Sequence, residues 1–331
     1  MAEGENIVDL FTSESTVPFA GVPIIDLADA WSSNLDARRN VALQVRKACK
    51  DVGFFYVSNH RIPETSVEKA IDQAKRFFDE PLERKMQIDI HKAANFKGYC
   101  ALLGENADPE NRGDMHEAFN IGPENPDDTG VMRGANQWPI DLPEFKAPVL
   151  ELYNSLVDLG KVMFHIFALS LDLPEGFFDD KTKNAAAVMR LLHYPPQTGI
   201  VDDRVVGIGA HTDYECFTIL WQDDVPALQV LNTASQWIDA KPIPGTLVIN
   251  IGDQFARWTN DVFKSTRHRV INRSGVRRYS VPLFFGTDYD VRLEALPTCV
   301  TPQRPARYDP NVTAGEYVKA KLEVTYNAHQ K

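Results

Sequence analysis

The segment GAHTDYECFTIL (209–220) sets His211 and Asp213 two apart, at the head of a run that turns apolar. Side chains at i and i+2 of a strand share a face. An imidazole and a carboxylate are therefore expected to project inward together from one strand, with Thr212 facing away. Such a pair alone is common at surfaces and in hydrogen-bonded turns. His268 gives it weight: it lies 57 residues on, in NDVFKSTRHRVINR, just before another β-type run. Two imidazoles and one carboxylate are the ligand set of a facial triad that holds Fe(II) and leaves the opposite positions open. The same set with a water would also suit a Zn²⁺ hydrolase. The next strand, RRYSVPLFF, separates the two readings. It supplies Arg278 and Ser280, again two apart. A guanidinium beside a hydroxyl forms a fork for a carboxylate through charge-assisted hydrogen bonds. Zinc hydrolysis has no need of a buried carboxylate clamp, whereas an iron oxygenase driven by a 2-oxo acid does. A lone arginine more often forms a surface ion pair, but Ser280 beside it and His268 upstream weigh against that here.

The elements that must position these groups fall into two halves. VPIIDL (22–27) and FFYVSNH (54–60) read as strands, and the periodicity predicts helices over 36–53 and ETSVEKAIDQAKRFFDEP. Residues 91–115, rich in Gly, Asn and Asp, read as a long surface loop, and loops of that length are often functional. The segment 145–173 is the longest apolar helical stretch and reads as the support helix of the fold. From 186 onward some eight short β-type runs alternate with turn signals, the mark of a sandwich, jelly roll or barrel. There is no internal repeat. We expect an α+β fold with a mainly β core. Residues 1–120 form an N-terminal helical and strand region, and 121–331 a catalytic region that includes the support helix and a C-terminal helix.

Composition sets outer bounds. The chain has 331 residues, 44% hydrophobic and 24% charged, with a net charge of −11. That charge disfavours nucleic acid and anionic membranes as partners. Cys49, Cys100, Cys216 and Cys299 form no C-x-x-C pair, which fits reduced thiols and a cytoplasmic protein. The N-terminus lacks a secretory h-region, and no apolar run is long enough to span a bilayer.

These motifs, with LQVLN, MRLLHYPP, KDVGFFYVSNH, DMHEAFNIG and WIDAKPIPGTLVINIGDQFARWTNDVFKSTRHRV, resemble the Fe(II)/2-oxoglutarate-dependent oxygenases of the isopenicillin-N-synthase-like family over about residues 20–325. The resemblance implies a distorted double-stranded β-helix (jelly roll) wrapped by N-terminal helices, with Fe(II), 2-oxoglutarate as cosubstrate, and O₂. It makes His211, Asp213 and His268 the iron ligands and catalytic residues, Arg278 and Ser280 the clamp for the C5 carboxylate, and Tyr194 a further hydrogen bond to the cosubstrate. Many relatives carry Asn two positions before that tyrosine; this chain has Leu192, so that polar contact is missing here or supplied by His193 or another residue. The reaction implied is oxidation of a small organic molecule with release of succinate and CO₂. The outcome is hydroxylation, desaturation or oxidative rearrangement such as ring expansion, in secondary-metabolite biosynthesis, for instance of an aromatic polyketide. Halogenation is disfavoured, because related halogenases lack the carboxylate ligand.

For the substrate wall, Arg190 shares a strand face with Leu192 and Tyr194 if that strand is regular, and would meet an anionic or phenolic substrate. Its alternatives are a structural pair with Asp or Glu, or an indirect contact that supports 2-oxoglutarate from behind. Phe119, Phe285 and the loop GYCALLGEN (98–106) are candidate pocket lining, with core packing the alternative for both phenylalanines. His116, beside acidic neighbours, takes the bland reading, since nothing in its spacing requires it at the pocket mouth, and His329 reads as an exposed terminal histidine. A monomer or weak oligomer is expected. Two competing readings remain: an iron oxidase of the same fold that does not use 2-oxoglutarate, and a non-catalytic metal-binding jelly roll.

Overall fold

The computed structural model describes residues 17–92, 95–108, 113–125, 133–197 and 206–327, with side chains described as far as residue 322. His329 lies outside them, as do residues 1–16 and 126–128.

Helix α1 (Leu35–Asp51) starts where Asn34 Oδ1 accepts the Asp36 N–H at 2.9 Å, an N-cap that satisfies one of the helix's orphan donors. It stops at Gly53, whose φ of 74° only glycine adopts without strain, and where a Cβ would stand 2.3 Å from the Lys264 carbonyl oxygen. Helices α2 (Glu64–Phe78) and α3 (Lys146–Ser170) carry the apolar stripes read from the sequence, and α3 buries Leu152, Leu156, Met163, Phe164 and Phe167. Two helices lie further on, α4 (Asp253–Trp258) and α5 (Ala314–Asn327).

The strands are β1 (Ile24–Asp26), β2 (Phe54–Ser58), β3 (Gly98–Cys100), β4 (Glu117–Ile121), β5 (Ala187–Tyr194), β6 (Ile208–His211), β7 (Phe217–Gln222), β8 (Leu228–Leu231), β9 (Trp237–Asp239), β10 (Leu247–Ile251), β11 (His268–Val270) and β12 (Arg278–Phe285). They form an eight-stranded sheet, β1-β2-β10-β7-β12-β5-β4-β3, and a four-stranded sheet, β6-β11-β8-β9. All pairings between these strands except β1 with β2 are antiparallel. β3 lies within the stretch expected to be loop.

The large sheet is buried on both faces, and the pleat sorts its residues cleanly. Phe55, Val57, Phe119, Ile121, Met189, Leu191, Phe217, Ile219, Ile249, Val281, Leu283 and Phe285 pack into the core shared with the helices. Their neighbours in sequence, among them Phe54, Tyr56, Ala118, Leu192, Tyr194 and Val248, turn the other way and pack with Val230 and Val270 of the small sheet. This inner face, between the two sheets, is the interior of the roll. Helix α3 approaches the outer face closely at Gly160, where a Cβ would meet the Phe285 ring at 2.5 Å. No helix among the described residues is long and apolar enough to cross a membrane.

Candidate active site

β6 and β11 bring His211 and His268 together as register partners, with ring centroids 4.3 Å apart. Asp213 is not on the strand, as the i, i+2 reading expected. β6 ends at His211, and Asp213 reaches the histidines from the turn beyond. That turn is tied down by the Asp253 N–H, at the start of α4, which donates to the Asp213 carbonyl at 2.8 Å. Asp213 Oδ1 stands 3.6 Å from both His211 Nε2 and His268 Nε2. That is too long for a good hydrogen bond, and about the span that one ion bonded to all three at ~2.1 Å covers. The three ligand atoms lie within 4.8 Å of one another.

The donor set is oriented for a cation. His211 Nδ1 sits 2.7 Å from the Gly209 carbonyl oxygen, and His268 Nδ1 3.1 Å from that of Thr266. A carbonyl only accepts, so the proton belongs on Nδ1 and each Nε2 turns a lone pair toward Asp213. The other carboxylate oxygen, Oδ2, accepts from the Thr218 hydroxyl at 2.5 Å and the Asn250 amide at 2.6 Å. Burial opposes the charge of Asp213, but the imidazoles and the Thr218 hydroxyl outweigh it and hold the carboxyl well below the ordinary range. His268 is pushed down to about 4 by burial and then by His211. Burial lowers His211 too, yet the neighbouring Asp213 carboxylate leaves it raised overall. Nearby Glu215 is pushed up to about 8 by burial and the charge of Asp213.

Arg278, on β12, is fully buried, and among the described residues no carboxylate pairs with it. Its Nε donates to the Val225 carbonyl at 3.2 Å and its Nη2 to Gln222 Oε1 at 3.3 Å, while Nη1 is buried with no partner. The guanidinium carbon lies 4.7 Å from the centre of the Tyr194 ring, and the Tyr194 hydroxyl is 3.3 Å from Ser280 Oγ. One orphaned cationic N–H and two hydroxyls thus converge where a buried anion would satisfy them all. Val225 and Gln222 hold Nε and Nη2, which leaves Nη1 beside the Ser280 and Tyr194 hydroxyls as the nitrogen with no protein partner. The residues present therefore fit both an Fe(II) ion and the far carboxylate of a 2-oxo diacid.

Comparison with known proteins decides the family. Residues 22–141 match the family described as the non-haem dioxygenase in morphine synthesis N-terminal, and residues 185–287 the 2OG-Fe(II) oxygenase superfamily. The 2-oxoglutarate-Fe(II) type oxidoreductase hxnY of Emericella nidulans is 38% identical over 315 residues, covering 92% of this chain and 90% of that protein. The chain belongs to the 2OG-Fe(II) oxygenase superfamily. This oxygenase is also similar to the homoarginine-6-hydroxylase 2-ODD-C23 of Glycine max, 37% identical over 322 residues and covering 92% of this chain and 97% of that one. Among solved structures, that of a full-length Neurospora crassa protein in complex with alpha-KG and 5-formyluracil superposes with a TM-score of 0.81 at 29% identity, covering 92% of this chain and 96% of that one. The protein is thus an Fe(II)/2-oxoglutarate-dependent dioxygenase with a jelly-roll core. Bound in such a site, Fe(II), 2-oxoglutarate and O₂ together supply oxidation of the substrate coupled to conversion of the 2-oxo acid to succinate and CO₂.

The expected substrate wall divides. Arg190 does share the inner face with Leu192 and Tyr194, but it has the structural partners named as its alternative. Its Nε donates to Asn120 Oδ1 at 2.9 Å and its Nη2 to Glu105 Oε2 at 2.7 Å. Burial disfavours the Glu105 charge, and Arg190 overcomes this, so the carboxyl stays well below its ordinary range. His116 Nε2 approaches the same oxygen at 3.4 Å, with Nδ1 2.9 Å from the Gly207 carbonyl oxygen. Phe119 is a correction. It lies on the outer face, fully buried against Phe77 and Phe145, because β4 places Ala118 and Asn120 inward instead. Phe285 is likewise in the outer core, 5.5 Å from the Phe217 ring. Nor does His193 replace the contact missing at Leu192. It faces outward between Phe78 and Tyr279, with Nδ1 2.8 Å from Glu117 Oε1. The sequence reading missed Thr218, Asn250, Gln222 and Glu105. The first two had a signal, as isolated polar residues inside the buried runs CFTILW and LVINI.

Proposed function

We propose that His211, Asp213 and His268 bind the Fe(II), and that Arg278, Ser280 and Tyr194 bind the C5 carboxylate of 2-oxoglutarate. The observation that carries this reading is the orphaned, fully buried Nη1 of Arg278 on the inner face whose Thr218 and Asn250 bond Asp213. β7 joins the two ends: Thr218 bonds Asp213 and Gln222 bonds Arg278, from one face of the same strand. Four residues at ~3.3 Å each separate them by about 13 Å along the backbone, and we infer that a short diacid spans the distance left between the inward side chains.

The residues then have distinct tasks. Arg278, Ser280 and Tyr194 hold one end of the cosubstrate and exclude water from it. The triad keeps the ion on one side, leaving the other for cosubstrate and O₂. The substrate is a small organic molecule, and we infer that it is anionic or phenolic. Arg190, fixed by Glu105 and Asn120 on the inner face, is its polar contact. We assign the outcome to hydroxylation, desaturation or oxidative rearrangement in secondary-metabolite biosynthesis, with an aromatic polyketide as a fitting substrate, in a cytoplasmic monomer or weak oligomer.

The test is to load the protein with Fe(II) anaerobically, add 2-oxoglutarate and a panel of phenols and carboxylic acids, and admit O₂. Succinate should appear in step with substrate oxidation. Substrate-dependent O₂ uptake without succinate would instead establish an oxidase that uses no 2-oxo acid.

A further inference from the structure

Asp213 presents a positioning problem that the pleat does not solve. The two histidines are locked by strand pairing, but Asp213 lies beyond the end of β6, and a carboxylate can bind a metal through one oxygen or both. Thr218 and Asn250 are register partners on adjacent strands β7 and β10, and both lie on the inner face, 3% and 2% exposed. Both donate to the same oxygen, Oδ2, at 2.5 and 2.6 Å. An ionised carboxylate oxygen has about two acceptor sites, so two donors fill it. Oδ1 takes no such bond from either residue and faces the two Nε2 atoms at 3.6 Å each.

We propose that Thr218 and Asn250 are positioning residues that commit Oδ2 to the protein, so that Asp213 binds the metal through Oδ1 alone. This rests on the reading of Asp213 as a ligand. One-oxygen binding keeps a coordination position open that a two-oxygen carboxylate would fill. It also fixes the side chain of Asp213, whose backbone the Asp253 N–H already ties down.

The probe is Co(II) binding by calorimetry to the otherwise intact, metal-free protein, without cosubstrate, comparing wild type with Thr218→Val, Thr218→Ser, Asn250→Leu and Asp213→Ala. Loss of a group that orients a metal ligand typically weakens affinity by about 10–100-fold. Thr218→Val and Asn250→Leu should each fall in that range. Thr218→Ser, which keeps the hydroxyl, should stay within about threefold of wild type, and all should melt cooperatively without metal. If Asp213→Ala abolishes binding while Thr218→Val and Asn250→Leu bind as wild type, the clamp is overturned and the ligand reading stands. If Asp213→Ala itself binds Co(II) as tightly as wild type, both fall. Equal losses in Thr218→Val and Thr218→Ser would assign the effect to packing and also overturn the clamp.

Discussion

Arg278 and Tyr194 are partners across the β12–β5 ladder, and the guanidinium lies over the tyrosine ring with 4.7 Å between its carbon and the ring centre. The face of the ring packs against the cation, and Nη1 is buried with no partner among the described residues. Arg278→Ala should therefore remove one charge-assisted contact to the cosubstrate, worth about 1.5–3 kcal/mol, or roughly ten- to a hundredfold in the KM for 2-oxoglutarate. Tyr194→Phe, which loses one hydroxyl, should raise it only several-fold. Succinate formation against 2-oxoglutarate concentration gives both values. An Arg278→Ala enzyme with the wild-type KM would remove the clamp from the mechanism.

His211→Ala, Asp213→Ala and His268→Ala should each abolish Fe(II) retention and turnover together. His211 is partly accessible at the edge of the roll, so its loss should leave the far-ultraviolet circular dichroism of the metal-free protein unchanged. Metal content after dialysis and succinate yield are the two readouts. Turnover that survives loss of bound iron would contradict the assignment.

Glu215 gives a pH prediction for the metal-free fold. Its carboxyl, ordinarily near 4.5, is pushed up to about 8 by burial and by the charge of Asp213. Between those two values the unfolded chain releases a proton that the folded chain retains, so stability falls as pH rises through that window. Glu215→Gln removes the titration. The variant should lose less stability than wild type between pH 5 and pH 8.5, the difference being of the order of a few kcal/mol, measured by denaturant unfolding. Parallel pH profiles for the two proteins would show that Glu215 does not retain its proton.

Gly160 is where α3 rests on the sheet. Gly160→Ala should push its methyl group into the Phe285 ring and destabilise the protein by about 1–3 kcal/mol, read as a lower melting temperature. Co(II) affinity should not change, because Phe285 lies on the outer face of the sheet. A melting temperature equal to wild type would mean that the helix shifts outward without cost.

How much of this was legible in the sequence depended on the pleat. The period of two placed Arg278 with Ser280, and Arg190 with Leu192 and Tyr194, because β12 and β5 are regular over eight residues each. The same rule failed at His211 and Asp213, where the strand ends between them and a turn delivers the carboxylate. It failed differently at Phe119. Every residue of β4 is buried, so an apolar side chain there carries no information about which face it occupies. β3 was missed because Gly98–Cys100 is only three residues long and sits among loop-forming residues. Glu105 could not be assigned from spacing at all, since it lies 85 positions from Arg190 and only the tertiary fold joins them.

The placement of Thr218 and Gln222 on one face of β7 has a consequence for selectivity. If the carboxylate grip and the iron are both registered against that strand, the backbone repeat works as a gauge of chain length for the oxo acid, and one methylene more or less puts an end out of reach. Lengthening the span with a bulge between those two positions should then shift the preference toward a longer keto-diacid, with neither holding site itself altered.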